Sequence, residues 1–386
     1  MGIFDIFKKN EDSQDNVPQE QEVIIESESM VCGLQAFVEK NENAYYFYLW
    51  NPFSREDKGK VRSCWICNRR KAPAKVNADD MKNGRAPRMP AEFVAHDING
   101  MELDAEKLSI VWFEEGDSAA LLSGGEVICA IPEWSGYKDF HGYSKYAKGT
   151  GPFAWEIQGA VKSLTAKVNA GRYIWEYFCT PENMNQWMIT QCKAAMAFLE
   201  NHELDYNIAH KEDKTLGKGT FPPKVVISGT RNGAVYGLTA GISLVAMPMV
   251  SMYTKENPQN MNRMELGFAA VEEHRPLCRL MYANLSMYAN IPWQQMTFLG
   301  HGHTVPMQNI KDFSAVLFVN PRNVNGLESP EYSVFPGGGA VNMLWVVPIT
   351  QQEYDFAVKN SSEELLKKAK DISRIHIFDG ESKFLY

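Results

Sequence analysis

GLTAGIS (Gly237–Ser243), RMEL (Arg263–Leu266), HGHT (His301–Thr304), FSAVLFVNP (Phe313–Pro321) and LWVVPITQQEY (Leu344–Tyr354) follow one another along the C-terminal part of the chain. Taken singly, each reads as an ordinary buried strand. From Lys224 onward such segments dominate, with helix-like interruptions at Asn262–Val271 and Leu277–Ala289. The run Gly233–Tyr253 is uncharged and about long enough to cross a bilayer. Its Gly237, Gly241, Pro248 and hydroxyl residues instead predict two buried strands joined by a turn.

Upstream of this region the text is helical. Gln158–Asn169 is amphipathic, and Asn183–His202 places Trp187, Met188, Cys192, Ala195, Met196 and Leu199 close to helical spacing. Thr180 before Pro181 is an N-cap with proline at the first helical position. Near the other end, Ser362–Lys370 reads as a helix capped by Ser361 or Ser362.

Further upstream, from Met30 to Ile157, strands and turns take over. Ala44–Trp50 (AYYFYLW), Val61–Cys67 and Leu108–Phe113 read as strands, and Ser123-Gly124-Gly125-Glu126 as a hairpin turn. The Gly- and aromatic-rich tract Trp134–Trp155 has no clear period and reads as a long ordered loop. Before all of these, Asn10–Ser29 is acidic and polar, a composition that buries too little apolar surface to offset its ordering entropy. It follows a short apolar start at Ile3, Phe4, Ile6 and Phe7. The expected organisation is a flexible acidic segment (1–29), a β-rich domain (30–157) and a second domain (158–386), an α+β chain without internal repeats.

Composition narrows the functional classes. The 386 residues are 45% hydrophobic, 22% charged and 12% aromatic, ordinary for a globular protein apart from the aromatic content. A net charge of −8 argues against a generally basic nucleic-acid binder, and Arg69, Arg70 and Lys71 are too few to change that. An acidic surface suits either solubility or a basic protein partner. Seven scattered cysteines do not form a disulfide framework and fit a reducing compartment. The N-terminal run lacks the features of a secretory signal, and a cytoplasmic location is expected.

Few residues carry chemistry. Cys64-Trp-Ile-Cys67 is half of a zinc site, since structural zinc takes four ligands. Its strand context favours packing over zinc binding or redox activity. His301-Gly302-His303 would put two imidazoles on one face if the segment were a strand. Gly241-Ile-Ser243 lacks the second glycine of a nucleophile elbow. His274 has carboxylate neighbours but no identifiable nucleophile. Gly124-Gly125 and Gly337-Gly338-Gly339 do not continue into a phosphate-binding pattern. Aromatics in loops anchor partners, so Trp134, Tyr137, Phe140 and Tyr143, with His141 and Tyr146 beside them, are the leading partner-binding residues. The competing reading is that they pack between the two domains.

The order of the five C-terminal motifs, and the VVPIT…EY ending above all, resembles the Suppressor of fused domain, specifically its bacterial members. The resemblance covers roughly residues 160–386. It implies a mixed sheet with flanking helices, with RMEL as a strand in place of the helix-like pattern at Asn262–Val271, and a binding scaffold rather than an enzyme. Animal members of the family hold a transcription-factor peptide in a cleft between two lobes. Bacterial members look like immunity proteins that neutralise a cognate toxin. The N-terminal half, with CWICNRRKAP and GPFAWEI, departs from the animal pattern, so no peptide-binding residue is carried over. The expectation is a non-catalytic protein-binding module, a bacterial immunity protein whose acidic, aromatic face occludes a basic toxin surface. It would have no cofactor, bind no nucleic acid and enter no membrane. Two alternatives stand beside it: a metal-binding module or metal-dependent enzyme using Cys64, Cys67, His301 and His303, and an intracellular adaptor.

Overall fold

The computed structural model describes residues 21–52, 60–77, 86–205, 222–254 and 257–385. The apolar start and the first part of the acidic stretch, up to residue 20, lie outside the described residues. The chain divides into two units, residues 1–173 and 174–386.

The first unit is built from two sheets. Strands β1 (Glu22–Glu28), β2 (Gln35–Lys40), β3 (Ala44–Asn51) and β4 (Lys60–Asn68) form an antiparallel meander. Ordered strand at Glu22–Glu28 corrects the expectation of flexibility through Ser29. Composition gauges side-chain burial, whereas β1 is held by backbone pairing to β2, from Glu22↔Lys40 to Glu28↔Gln35. Ser27 and Ser29 fasten it further, accepting from Trp112 Nε1 at 3.0 Å and donating to the Gly116 carbonyl at 2.6 Å.

The aromatic strand β3 buries side chains on both faces. Tyr45, Phe47 and Leu49 point one way, and Tyr46 points the other way beside Tyr48. Phe37 stacks on Tyr48 from the neighbouring strand, with ring centroids 5.0 Å apart.

The second sheet holds β5 (Leu108–Trp112), β6 (Ala119–Ser123), β7 (Glu126–Ile131), β8 (Tyr143–Ser144) and β9 (Trp155–Glu156), in sequence order. The predicted turn at Gly124-Gly125 joins β6 to β7. Helix α1 (Val161–Arg172) lies on this sheet, and its Leu164 and Val168 share a core with Val111, Phe113, Ala120 and Ile157. Those contacts place α1 in the first unit, so the division falls after Tyr173 and not near Gln158.

The second unit is a mixed eight-stranded sheet flanked by helices, which makes the chain α+β. Its strands are β10 (Asn201–Asp205), β11 (Val225–Arg231), β12 (Ala234–Ala240), β13 (Arg263–Val271), β14 (Thr304–Ile310), β15 (Phe313–Val319), β16 (Val341–Ile349) and β17 (Ile377–Phe378). The spatial order is β10-β11-β12-β13-β16-β15-β14, with β17 also on β13. Pairing is antiparallel except where β13 meets β16 and β17. Every residue of β16 is buried, as expected for a strand covered on both faces.

Helices α2 (Pro181–Phe198) and α3 (Arg275–Tyr288) cover opposite faces of the sheet. Phe198 of α2 meets Tyr236 edge-on, at 5.6 Å between centroids, while Tyr282 of α3 lies against Gly237 on the other face. A Cβ on Gly237 would sit 1.9 Å from the Tyr282 ring, so only glycine lets the helix approach this closely. Thr180 caps α2 as expected, accepting from Asn183 N at 3.4 Å. The helix stops at Phe198, because the chain turns out at Leu199 to enter β10; His202 is therefore strand, not helix. Helices α4 (Gln351–Lys359) and α5 (Ser362–Leu366) follow β16.

One segment differs from its reading in kind. Gly233–Tyr253 contains a single strand, β12, followed by a one-turn helix at Ile242–Leu244 and a short helix at Val250–Tyr253. The chain breaks at Gly241, which has φ +114° and whose Cβ would lie 2.4 Å from the Pro223 carbonyl oxygen. No helix among the described residues is long and apolar enough to cross a membrane.

Candidate partner-binding surface

The aromatic tract of the first unit separates into buried anchors and one projecting side chain. Phe140 is buried, in contact with Tyr143 at 4.8 Å and Trp155 at 4.9 Å between centroids. Tyr143 lies in β8 and packs against the core that includes Ile157 and Leu164. Trp134 is half-buried. Tyr137 alone of the four is exposed, with 60% of its surface open.

Backbone geometry fixes that projection. Tyr137 N donates to the Trp134 carbonyl at 3.2 Å, Phe140 N to the Tyr137 carbonyl at 3.1 Å, and Gly136 N to the Phe140 carbonyl at 2.7 Å. Between them Lys138 and Asp139 both adopt left-handed backbone, φ 48° and 59°. Consecutive non-glycine residues in this region cost about 1–2 kcal/mol each, so the closed turn and the buried Phe140 must hold them there. Lys138 Nζ lies 5.3 Å from the centre of the Tyr137 ring.

The base of the loop is tied on both sides. His141 Nδ1 is 3.2 Å from the Ser63 carbonyl, and Ser144 Oγ donates to the Ile66 carbonyl at 2.7 Å. Glu133, next to Trp134, is 3.3 Å from Lys167 of α1. The result is a stalk held at its base by these contacts, with the Tyr137 phenol at its tip.

The cysteine motif lies beneath this loop. A bulge leaves Ile66 unpaired, so that Cys64 faces Phe47 and Cys67 faces Tyr45, which puts both thiols on the same side of β4. Both are fully buried, and Cys64 Sγ lies 3.6 Å from the Tyr143 carbonyl. Burial pushes the Cys67 thiol far up, away from the thiolate that metal binding and redox exchange require.

The histidine pair is split by a turn centred on Gly302, and β14 begins only at Thr304. The two rings therefore do not share a strand face. His301 Nδ1 accepts from Asn320 N at 3.1 Å, and its Nε2 faces Glu363 at 3.0 Å. His303 packs against Phe298, 4.9 Å between centroids, where burial lowers its pKa. Among the described residues, no group of three or more His, Cys, Asp or Glu is placed to hold a metal ion.

In the second unit hydrogen bonds link RMEL to GLTAGIS and FSAVLFVNP to HGHT, and Asn342, just ahead of the fifth motif, joins the two pairs. Glu265 of RMEL accepts from Thr239 Oγ1 (2.8 Å), Gly241 N (2.9 Å), Ser243 N (3.1 Å) and Ser243 Oγ (2.6 Å), all in GLTAGIS. Burial raises its pKa, and those donors oppose the rise. Arg263 donates to the Ser243 and Leu244 carbonyls and lies 3.6 Å over the Phe335 ring. Asn342 donates to the Arg263 carbonyl and accepts from Asn320, which in turn faces His301.

Residues 224–381 match the family model described as Suppressor of fused protein (SUFU), less than half of the chain. The C-terminal unit carries a Suppressor of fused-like domain. A solved structure described as the Sufu-Fu complex crystal structure aligns with 52% of this chain and 91% of its own, at 11% identity and a TM-score of 0.34. No curated protein matches the chain.

This unit displays an exposed aromatic side chain that the sequence did not single out. Tyr253 is 70% exposed and packs on Phe298 at 5.4 Å between centroids. Its position in an uncharged apolar run disguised it. The only signal was the short polar stretch that follows, from Thr254 to Asn260, which marks the end of a buried segment.

Proposed function

We propose that this protein is a non-catalytic cytoplasmic binding protein that neutralises a cognate toxin domain, as an immunity protein does. The observation that carries the protein-binding part of this reading is the Suppressor of fused-like domain at residues 224–381. The toxin partner is supported by the resemblance of the five motifs to bacterial members of that family. A basic partner surface follows from the net charge of −8, which favours fast, salt-sensitive association with an oppositely charged face. Trp134, Tyr137, Phe140 and Tyr143 form the proposed contact region, with Tyr137 as the side chain that enters the partner and the other three as its support.

The direct experiment is co-expression with a candidate toxin domain, sought among the proteins encoded beside this gene. Cells should survive only when both are made, and equal survival with and without this protein would sink the immunity reading in favour of an adaptor. On the purified pair, Tyr137→Ala should raise the dissociation rate about tenfold, or ~1.4 kcal/mol, with the melting temperature unchanged. Added salt should slow association more than it speeds dissociation.

A further inference from the structure

Helix α3 packs mainly on β13 and β12, and among the described residues a strip of β10 and β11 lies beside it on the same face of the sheet. That strip and the flank of the helix line an open cavity of about 770 Å³ within the Suppressor of fused-like unit. Its volume lies in the range of small-molecule sites, roughly 300–1,000 Å³.

Strand register sets the chemistry of the floor. Ser228 lies opposite Gly237, Thr230 opposite Val235, and Asn201 opposite Thr230. Directly opposed residues share a face, so Asn201, Ser228 and Thr230 are on the side where Gly237 meets Tyr282. The floor is thus lined by hydroxyl and amide groups, with Asn201 Nδ2 3.4 Å from Thr230 Oγ1.

The wall is cationic. Arg275 and Arg279, four residues apart, lie on one face of α3 and both line the cavity. Arg275 is held by Glu272 through two bonds, Nε to Oε1 at 2.6 Å and Nη2 to Oε2 at 2.7 Å. Arg279 makes no ion pair with any described residue. The one carboxylate on the lining, Glu200, accepts from Asn232 N at 3.3 Å in the turn between β11 and β12. A planar guanidinium facing hydroxyl and amide groups is suited to a carboxylate or phosphate, which it grips with two parallel bonds.

We infer that the cavity between α3 and the β10–β11 edge binds a small anionic molecule, its carboxylate or phosphate group held by Arg279 and its remainder by Asn201, Ser228 and Thr230. The site needs neither a toxin nor the aromatic stalk, so its failure leaves the proposed function untouched.

The test titrates inorganic pyrophosphate and, separately, citrate into the full chain at low ionic strength, followed by calorimetry. Saturable binding of one equivalent is expected, and Arg279→Ala should weaken it at least tenfold. Thr230→Val should weaken it several-fold, and Arg322→Ala, at an exposed arginine elsewhere, should leave it unchanged. Preference for pyrophosphate or for citrate would identify a phosphate or a polycarboxylate ligand. No saturable binding of either anion at millimolar concentration would overturn the inference, as would equal loss in Arg279→Ala and Arg322→Ala. Because Arg279 is exposed, its replacement should not disturb folding, and an unchanged melting temperature without anion checks this.

Discussion

Ser243 closes on Glu265 with both of its donors, the hydroxyl at 2.6 Å and the backbone N–H at 3.1 Å, on the same oxygen, Oε1. With Gly241 N on that oxygen and Thr239 Oγ1 on Oε2, the fully buried carboxyl group is surrounded by uncharged donors. Such a group tolerates neither loss of its oxygens nor a change in their polarity. Glu265→Gln turns an amide NH2 toward donors on at least one side, and should lower stability by about 2–3 kcal/mol. The midpoint of urea unfolding, followed by tryptophan fluorescence, reads this directly. An unchanged midpoint would mean that the network is incidental.

Glu353 joins two distant parts of the chain. In α4 it completes a capping box, with Thr350 N donating to Oε2 at 2.8 Å and Thr350 Oγ1 accepting from Glu353 N at 3.3 Å. Its other oxygen accepts from Ser382 Oγ at 2.5 Å and Phe384 N at 2.9 Å. Glu353→Ala should therefore cost about 1–2 kcal/mol through the cap and also release residues 382–385. Carboxypeptidase trimming should accelerate in this variant and not in Glu381→Ala, whose side chain is exposed. Equal trimming rates would refute the clamp.

His376 should make the protein sensitive to acid. Burial, with Arg374 and Lys383 nearby, lowers its pKa to about 3, and its ring sits 4.6 Å from Trp345. An unfolded imidazole titrates near pH 6.5. Below that pH the unfolded chain binds a proton that the folded chain refuses, so stability falls as pH drops from about 6.5 toward 3. The slope contributed is up to ~1.4 kcal/mol per unit, and no contribution arises above pH 7. Comparing wild type with His376→Gln isolates this share. Parallel stability curves for the two between pH 6.5 and 4 would show the assignment to be wrong.

The Cys64–Cys67 pair should behave as packing. Purified protein is expected to carry no stoichiometric zinc by elemental analysis, and both thiols should resist alkylation until the protein unfolds. Replacing both with serine puts two hydroxyls into a dry site and should destabilise by about 1–3 kcal/mol each. One equivalent of zinc that survives dialysis and disappears in the double variant would reverse this conclusion.

Local signals carried the sequence reading a long way. The β-branched and aromatic content of β3, β5 and β16, the glycine pair at 124–125, and the Thr180-Pro181 cap each act over a few residues, and each was legible. What escaped depended on partners far along the chain. Strand β1 is ordered by β2, β10 ends the α2 pattern by pairing with β11, and Gly241 breaks an apolar run so that Ser243 can reach Glu265. Apolar periodicity also cannot show that the polar members of RMEL and GLTAGIS meet in the interior. In the aromatic tract the residues were visible but their orientations were not. Whether Phe140 or Tyr137 points outward depends on two left-handed residues between them, neither of them a glycine.

Strand β13 has β12 along one side, whereas its other side is shared by β16 at Arg263–Gly267 and β17 at Ala269–Ala270. Those two segments are synthesised long after it. As the chain leaves the ribosome, β10 to β13 can assemble as an antiparallel patch, but the outer edge of β13 stays unpaired until residues 341–349 and 377–378 emerge. An open apolar edge is a template for the wrong partner, and pairings this distant in sequence form slowly. The yield of native protein should therefore depend on what shields that edge while translation proceeds, a nascent-chain chaperone or slow growth at low temperature, more than on the stability of the finished sheet.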